Sequence, residues 1–172
     1  TAPITDLTSE LAGKIGKTVT EKRDTLVSKA LTHEERVTRL LKGLGEGKRR
    51  SISVKIPEQH YGSPVIDPAA ETELAMLLQK AGFIVLDEKS AEKPELELTG
   101  EAFSAYGLRK GNLISCKARV EIKIRDMSSG RIVASERQTS VAIDIAEQTA
   151  AKTALQSAAL QLAERLLPQL TK

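Results

Sequence analysis

Residues 115–126, SCKARVEIKIRD, alternate apolar and charged side chains almost without interruption. Successive side chains of an extended strand point to opposite faces of a sheet, so the row from Cys116 to Ile124 falls on one face and the row from Lys117 to Arg125 on the other. Burying the aliphatic side chains of the first row contributes about 1.5–3 kcal/mol each, and a helix would forfeit this gain by scattering them around its axis. The segment is therefore predicted to be a strand with one buried face.

The charged row of this strand has two interpretations. It places Lys117, Arg119, Lys123 and Arg125 around a single acid, Glu121. Antiparallel sheets commonly leave one face in water, and a solvated face is the simpler interpretation. The alternative is a surface for an acidic protein partner, an anionic glycan or lipid head groups, unless N-terminal helices cover it. The four cations are therefore candidate interaction residues.

The preceding segment has the pattern of a strand, a helix and a second strand. SISVKI at residues 51–56 is rich in β-formers. Asp67 followed by Pro68 is typical of a helix start, with Asp67 as the N-cap, and Gly82 is typical of a helix end. FIVLD follows at once, and its apolar character predicts a strand that is central or covered on both sides. A right-handed crossover then makes the two strands parallel.

The second half of the chain is predicted to be antiparallel. Gly100 is expected to mark a bend or bulge in a strand that begins near residue 95. The DMSSGR turn at Gly130 returns the chain as another strand, in which the alternation slips. A bulge near residues 136–139 is expected to bring Val141 and Ile143 into line with the earlier apolar residues.

Helical patterns occupy both ends of the chain. Residues 145–167 form a long Ala- and Leu-rich pattern that Pro168 is expected to end. Apolar residues recur at helical spacing in residues 4–31, and Thr32 with Glu35 resembles a capping box before a further helix.

The predicted fold class is α+β. We expect a mixed sheet of about five strands with helices 68–81 and 145–167 packed on one face. Residues 1–48 are interpreted as an N-terminal helical extension, and residues 49–172 as the main domain.

Composition bears on the classes of partner. The net charge is only +3 and the chain has two Tyr, two Phe and no Trp, so neither the concentrated positive charge nor the stacking rings of many nucleic-acid binders are present. We expect no nucleic-acid partner. No apolar run approaches the ~20 residues that span a bilayer. The sequence starts at Thr1, so a signal peptide or a lipid-bearing cysteine upstream would lie outside it.

Catalytic and metal-binding patterns are not found. His33 and His60 are far apart in sequence and have no cysteine pair as partners, so we expect no metal and no cofactor. Cys116 lies on the apolar row, where a thiol usually behaves as a small hydrophobic group rather than a nucleophile. The glycines before Lys48 precede a strand, whereas a phosphate-binding loop precedes a helix. We expect that the protein is not an enzyme.

Four segments together resemble a known family. These are PELELTGEAF at 94–103, the paired strands with an Asp-x-x-Ser-Gly turn at 114–135, the helix and strand at 68–87, and the helix at 145–167. This layout resembles the amino-terminal TolB-like domain of bacterial envelope proteins, a family that includes the curli-secretion lipoprotein, the penicillin-binding-protein activator lipoprotein and a periplasmic flagellar assembly protein.

The resemblance implies an exported protein, periplasmic or associated with the outer membrane, that acts by docking onto envelope proteins. A lipid anchor upstream of the sequence would fit the same family. The long alternating apolar insertions of the curli pore are absent from this chain, so no pore role is expected.

Two functional hypotheses follow. The first is a non-catalytic envelope adaptor or assembly factor that acts by protein–protein docking. The second is a small-molecule or glycan-binding module that uses the loop at residues 57–67, with His60 and Tyr61 as its candidate residues. A partly exposed loop histidine without a ligand is the simpler interpretation of His60, since loops carry binding residues only in some proteins.

Overall fold

The computed structural model describes residues 31–46 and 49–171. The described helices are α1 (His33–Lys42), α2 (Ala69–Lys80) and α3 (Glu147–Leu170), and the described strands are β1 (Ser51–Lys55), β2 (Glu58–His60), β3 (Ser63–Pro64), β4 (Ile84–Leu86), β5 (Leu96–Lys110), β6 (Leu113–Asp126) and β7 (Ile132–Asp144). Residues 37–172 form one compact unit, and the chain before it forms a second, of which residues 31–36 are described. The helix predicted within residues 4–31 lies outside the described residues, apart from its last position. The predicted boundary at residue 48 stays a prediction.

All seven strands belong to one mixed sheet, in which β5 is central. One side of β5 pairs antiparallel with β6, and β6 pairs in turn with β7. The other side of β5 pairs in parallel first with β1 and then with β2. Strand β4 adds to β1 in parallel, and β3 adds to β2 as a short hairpin. The α+β class with helices packed against the sheet is confirmed, and the two strands of the 57–67 segment raise the strand number above the predicted five.

The core lies between the sheet and the helices α2 and α3. The apolar row of β6 is buried from Ile114 to Ile124, as predicted. Small side chains on α3, such as Ala154 and Ala158, are fully buried and let the helix lie close to the strands. The prediction that Pro168 ends this helix is wrong, because α3 continues through it to Leu170. A proline near the end of a helix removes only one backbone hydrogen bond, and a helix that is packed on a core tolerates this loss.

Helix α2 begins differently from the prediction. The N-cap position is Pro68 and not Asp67, and it makes no side-chain capping bond. The carboxylate of Glu58 takes that role from strand β2, because its Oε2 accepts hydrogen bonds from the amides of Ala69 (2.7 Å) and Ala70 (3.1 Å). A buried acid from another element thus satisfies the free amides of the helix and complements its dipole.

Strand β4 is an edge strand. Its parallel pairing with β1 is confirmed, but the prediction of a central or doubly covered strand is wrong, because among the described strands β4 pairs with β1 alone. Ile84 pairs with Ser51 and is exposed on the side of the sheet away from the helices, whereas Val85 packs against the core. An apolar run of three to five residues does not distinguish a central strand from an edge strand.

Two irregularities set the register of β5, β6 and β7, and neither lies where it was predicted. Gly100 lies in regular pairing opposite Ile122, and the shift in β5 comes later, between Tyr106 and Arg109. The shift in β7 lies at Val133, because Ile124 pairs with Ala134 and Arg125 pairs with Ile132. From Ala134 onward β7 pairs without interruption, so no bulge occurs at residues 136–139.

Candidate interaction surface on the open sheet face

The face of the sheet opposite to α2 and α3 is called here the open face. It consists of the odd-numbered residues of β5 (97–105), β6 (113–125) and β7 (135–143), all of which point away from the buried row. The four predicted cations, Lys117, Arg119, Lys123 and Arg125, are exposed on this face. The structure therefore brings the candidate residues of β6 together on one accessible surface.

Neighbouring strands extend the cations of β6 into a charged band. The band is defined by Glu97, Glu101, Lys117, Arg119, Glu121, Lys123, Arg125 and Arg137. Its central row runs from Glu101 on β5 through Glu121 on β6 to Arg137 on β7, since these residues pair directly across the sheet. The next row places Lys123 between Thr99 and Ser135. The band thus joins three strands and carries both signs of charge.

Glu121 organises the centre of the charged band. Its Oε1 accepts hydrogen bonds from the Arg119 guanidinium, one of them from Nε at 2.8 Å, and it lies 3.6 Å from Nη1 of Arg137. The hydrogen bond from Arg119 lowers the pKa of Glu121 below its usual value, against the opposing effect of desolvation, and Arg137 adds to the lowering. Of the described residues, none forms an ion pair with Lys117, Lys123 or Arg125. These cations are therefore available to an acidic partner.

A shallow groove of about 580 Å³ lies within the charged band. It is lined on three strands by side chains that include Thr99, Glu101, Lys123, Ser135 and Arg137. The groove is suited to recognition of polar and charged groups.

His60 and Tyr61 lie elsewhere, on the β2–β3 hairpin. The ring of His60 points to the helix side of the sheet, with Nδ1 2.9 Å from the Ser104 hydroxyl and Nε2 3.1 Å from a carboxylate oxygen of Glu147. Tyr61 is exposed at the turn with a φ of 51°, and its ring meets that of His60 edge to face at 4.9 Å. These two candidates are thus on the opposite side of the sheet from the four cations.

A cleft of about 360 Å³ adjoins His60. Its walls include Glu58, Asp67, Ser104 and Lys152. Lys152 forms an ion pair with Asp67, which brings α3 against the segment before α2. Burial raises the pKa of Glu58, and the hydrogen bonds from the α2 amides act in the opposite direction. Within this cleft, His60 bonds to Ser104 and Lys152 bonds to Asp67.

Several residues of these two sites were not predicted from the sequence. Arg137 was not recognised because a bulge was expected at its position, and residues 134–142 show no apolar alternation in sequence that would set its face. Glu58 and Glu147 reach their partners through tertiary packing of separate elements. Local sequence patterns carry no signal for such contacts.

Cys116 was the remaining candidate for chemistry. Cys116 is a buried free thiol whose Sγ lies 3.4 Å from the carbonyl oxygen of Glu147. Burial raises its pKa, with a smaller contribution from the charge of Glu147, which disfavours the reactive thiolate. Within residues 31–46 and 49–171, no group of three or more His, Cys, Asp or Glu side chains could hold a metal ion. In the same part of the chain, every helix is too short or too polar to cross a bilayer.

The chain was compared with known proteins. No protein-family model matches the sequence, and no curated protein matches it. A solved structure from Xanthomonas campestris, described by the family model DUF330, is 14% identical with a TM-score of 0.50, and the match covers 75% of this chain and 87% of that one. A hypothetical protein from Chlamydia trachomatis is 9% identical with a TM-score of 0.51, covering 72% of this chain and 98% of that one. A minor lipoprotein from Acinetobacter baumannii is 16% identical with a TM-score of 0.44, covering 73% and 93%.

The first two similarities show a fold shared with other bacterial proteins. They do not extend to function, since their sequence identities are low, and the third superposition is weaker still. The resemblance to the TolB-like family stays a prediction, because no family model matches the chain.

Proposed function

We propose that this protein is a non-catalytic binding protein of the bacterial envelope that docks a protein partner through the charged band. The observation that supports this most directly is the exposure, on one strand and one face, of Lys117, Lys123 and Arg125, with no ion pair to any described residue. Exposed cations arranged in this way steer and orient a partner that presents acidic side chains. The envelope location and an upstream lipid anchor are supported by the resemblance of residues 94–103 and 114–135 to the TolB-like domain.

The dimensions of the charged band indicate the strength of such docking. From Lys117 to Arg125 a strand extends about 27 Å, and three strands are about 10 Å wide between the outer two. This area is well below the roughly 800 Å² that each partner buries in a standard interface. We therefore expect a contact that is weak by itself and sensitive to salt, because exposed charges are screened by ions.

Charge reversal on β6 tests the proposal. The double variant Lys123→Glu with Arg125→Glu changes two exposed side chains and leaves the buried row intact. A matched control, Lys89→Glu with Lys93→Glu, makes the same change in the exposed connector between β4 and β5. The full chain is cross-linked to proteins of an isolated envelope fraction and, separately, of a cytosolic fraction.

We expect an envelope protein to be captured by the unaltered chain and by the control, and to be lost from the β6 variant. The capture should decline as salt is raised. Capture of cytosolic proteins alone, or an envelope partner that the β6 variant retains, would contradict the proposal.

The cleft beside His60 supports a second candidate, a small-molecule or glycan-binding module. The hydroxyl of Ser104, the ammonium of Lys152 and the ring of His60 face one concave space of about 360 Å³, which is in the usual range for small ligands. This hypothesis expects a glycan or metabolite to raise the midpoint of thermal unfolding. His60→Ala or Tyr61→Ala should abolish the rise, and an unchanged rise in both variants would dismiss the cleft as the site.

A further inference from the structure

The open face ends in a cluster of exposed apolar side chains, called here the apolar end. It consists of Leu108, Leu113, Val141, Ile143 and Ile145, each between 52% and 73% exposed. Ser115 lies at its centre, because it pairs with Ile143 on one side and its hydroxyl accepts a hydrogen bond from the Leu108 amide at 2.9 Å on the other. Leu108, Leu113, Val141 and Ile143 therefore lie on three neighbouring strands, and Ile145 directly follows β7.

The position of this patch on the sheet is unusual. Strand β7 is an edge strand, paired only with β6 among the described strands. Edge strands are commonly protected by charged side chains, yet Val141 and Ile143 expose branched apolar groups there. Contiguous apolar groups of this kind mark interaction sites more often than single exposed hydrophobic residues do.

On the β5–β6 hairpin, every charged residue beside the apolar end is positive. Residues 105–119 contain no Asp or Glu, and Arg109, Lys110 and Lys117 are exposed among them. The nearest acid on β7, Asp144, accepts a hydrogen bond from the Ala146 amide. The other end of the same strands also exposes apolar groups, at Met127, Ile132 and Val133, but there Glu95, Glu97 and Asp126 accompany them. Asp144 pairs with Ile114 of the buried row and so points to the helix side. Of the described residues on the open face at the apolar end, the charged ones are Lys110 and Lys117.

We propose that the apolar end docks on an anionic phospholipid surface. The aliphatic side chains would enter the boundary between head groups and acyl chains, while Lys110 and Lys117, which share their face with Leu113 and Val141, contact phosphate groups. A second copy of the chain fits this patch less well, because it would bring the same cations close together across the contact. The hairpin is placed for such contact, since β2 pairs with β5 no further than Ser104 and the strand continues beyond it.

The expected strength follows from the number of groups. Each cation near an anionic surface strengthens binding about fivefold. Each large aliphatic side chain that leaves water strengthens it about tenfold or more. Both contributions are needed for stable attachment, so removing either should be measurable.

Vesicle flotation of the full chain tests this proposal. The vesicles contain equal parts of phosphatidylglycerol and phosphatidylcholine, or phosphatidylcholine alone. One variant, Leu113→Ser with Ile143→Ser, removes apolar groups, and another, Lys110→Glu with Lys117→Glu, reverses charge on the same face. The matched control, Met127→Ser with Ile132→Ser, removes apolar groups of similar exposure at the other end of the strands. The thermal unfolding midpoint of each variant establishes that it is folded.

We expect the unaltered chain and the control to float with the anionic vesicles and not with the neutral ones. Each of the two test variants should lose at least tenfold in apparent affinity. The Lys123→Glu and Arg125→Glu change in the charged band should leave flotation intact, so that this proposal and the proposed function can fail separately.

Three results would overturn the proposal. These are equal binding to both kinds of vesicle, retention of binding by both test variants, and a dimer in sedimentation that Leu113→Ser with Ile143→Ser dissociates while no vesicle is bound. The last result would assign the apolar end to a second copy of the chain.

Discussion

Replacing Gly100 with alanine should test the closest approach between β5 and β6. A β-carbon at this position would lie 2.2 Å from the backbone oxygen of Glu121 and 2.9 Å from Cγ2 of Ile122. The oxygen belongs to a strand that is paired on both sides, so relief requires β5 and β6 to separate locally by about 1 Å, since ordinary contacts begin near 3.4 Å. Overpacking that displaces backbone costs about 1–3 kcal/mol or more, and we expect a loss of about 2–4 kcal/mol in the free energy of unfolding.

Two other glycines provide matched controls for this change. Gly45→Ala meets no atom within 4 Å and should change stability by less than about 0.5 kcal/mol. Gly107→Ala meets the Ser115 hydroxyl at 2.7 Å, and that side chain can rotate away at the cost of its hydrogen bond with Leu108, about 1 kcal/mol. Urea unfolding at neutral pH would measure all three variants. A Gly100 variant as stable as the Gly45 variant would refute the pairing of Gly100 with Ile122.

Two further changes concern acids that organise the fold. Glu58→Ala leaves two amides of α2 without their acceptor and should lower the free energy of unfolding in urea by about 1–3 kcal/mol. Glu58→Gln keeps an acceptor and should lower it less. Equal losses in the two variants would contradict the capping role. Hydrogen bonds from the Ser128 hydroxyl, the Ser129 amide and Arg50 hold the pKa of Asp126 far below its usual range. The stability that this carboxylate contributes is therefore present above its unfolded-state pKa of about 3.9 and is lost as the pH falls below that pKa. In a plot of the urea unfolding midpoint against pH, Asp126→Asn should therefore flatten the acidic part of the curve. Parallel curves for the variant and the unaltered chain would argue against this role of Asp126.

The strand β6 could be predicted from sequence because its alternation is strict and its buried row is aliphatic. The same applies to α2, whose apolar stripe and terminal Gly82 marked it clearly. The turn at Gly130 was also readable, and this glycine adopts a positive φ of 68° as that turn requires. In each case the signal is local, and a few neighbouring residues contain all of it.

The sheet order of β4 and the start of α2 could not be read in this way. Ile84 lies in an apolar run, but its exposure depends on whether another element covers its side of the sheet, which its own neighbours in sequence do not encode. Asp67 has the residue type of an N-cap, but it forms an ion pair with Lys152 of α3, and Glu58 occupies the amides instead. The cap of α2 thus comes from a distant strand, although the local sequence favours Asp67 for that position.

The candidate site was predicted only in part, for a related reason. The shared face of the four cations of β6 could be predicted from the alternation of side chains along the strand, and they lie on one face as expected. Arg137 completes the charged band only because β7 pairs with β6 in a register that places it opposite Glu121. That register depends on which residue forms the bulge.

The bulge in β7 links the register of the sheet to its functional surfaces. Val141 and Ile143 were expected to join the core because they are apolar, and this expectation required a shift after Ala134. With the shift at Val133 instead, the residues of β7 that face α3 are small or polar, such as Ala134, Ser140 and Ala142, and they leave room for the helix. The large side chains then have no place on the buried face, so Val141 and Ile143 are exposed because α3 packs closely there. The apolar end and the completion of the charged band by Arg137 are thus two consequences of one register, and a single inserted residue after Ala134 would exchange the faces of the rest of β7 and remove both.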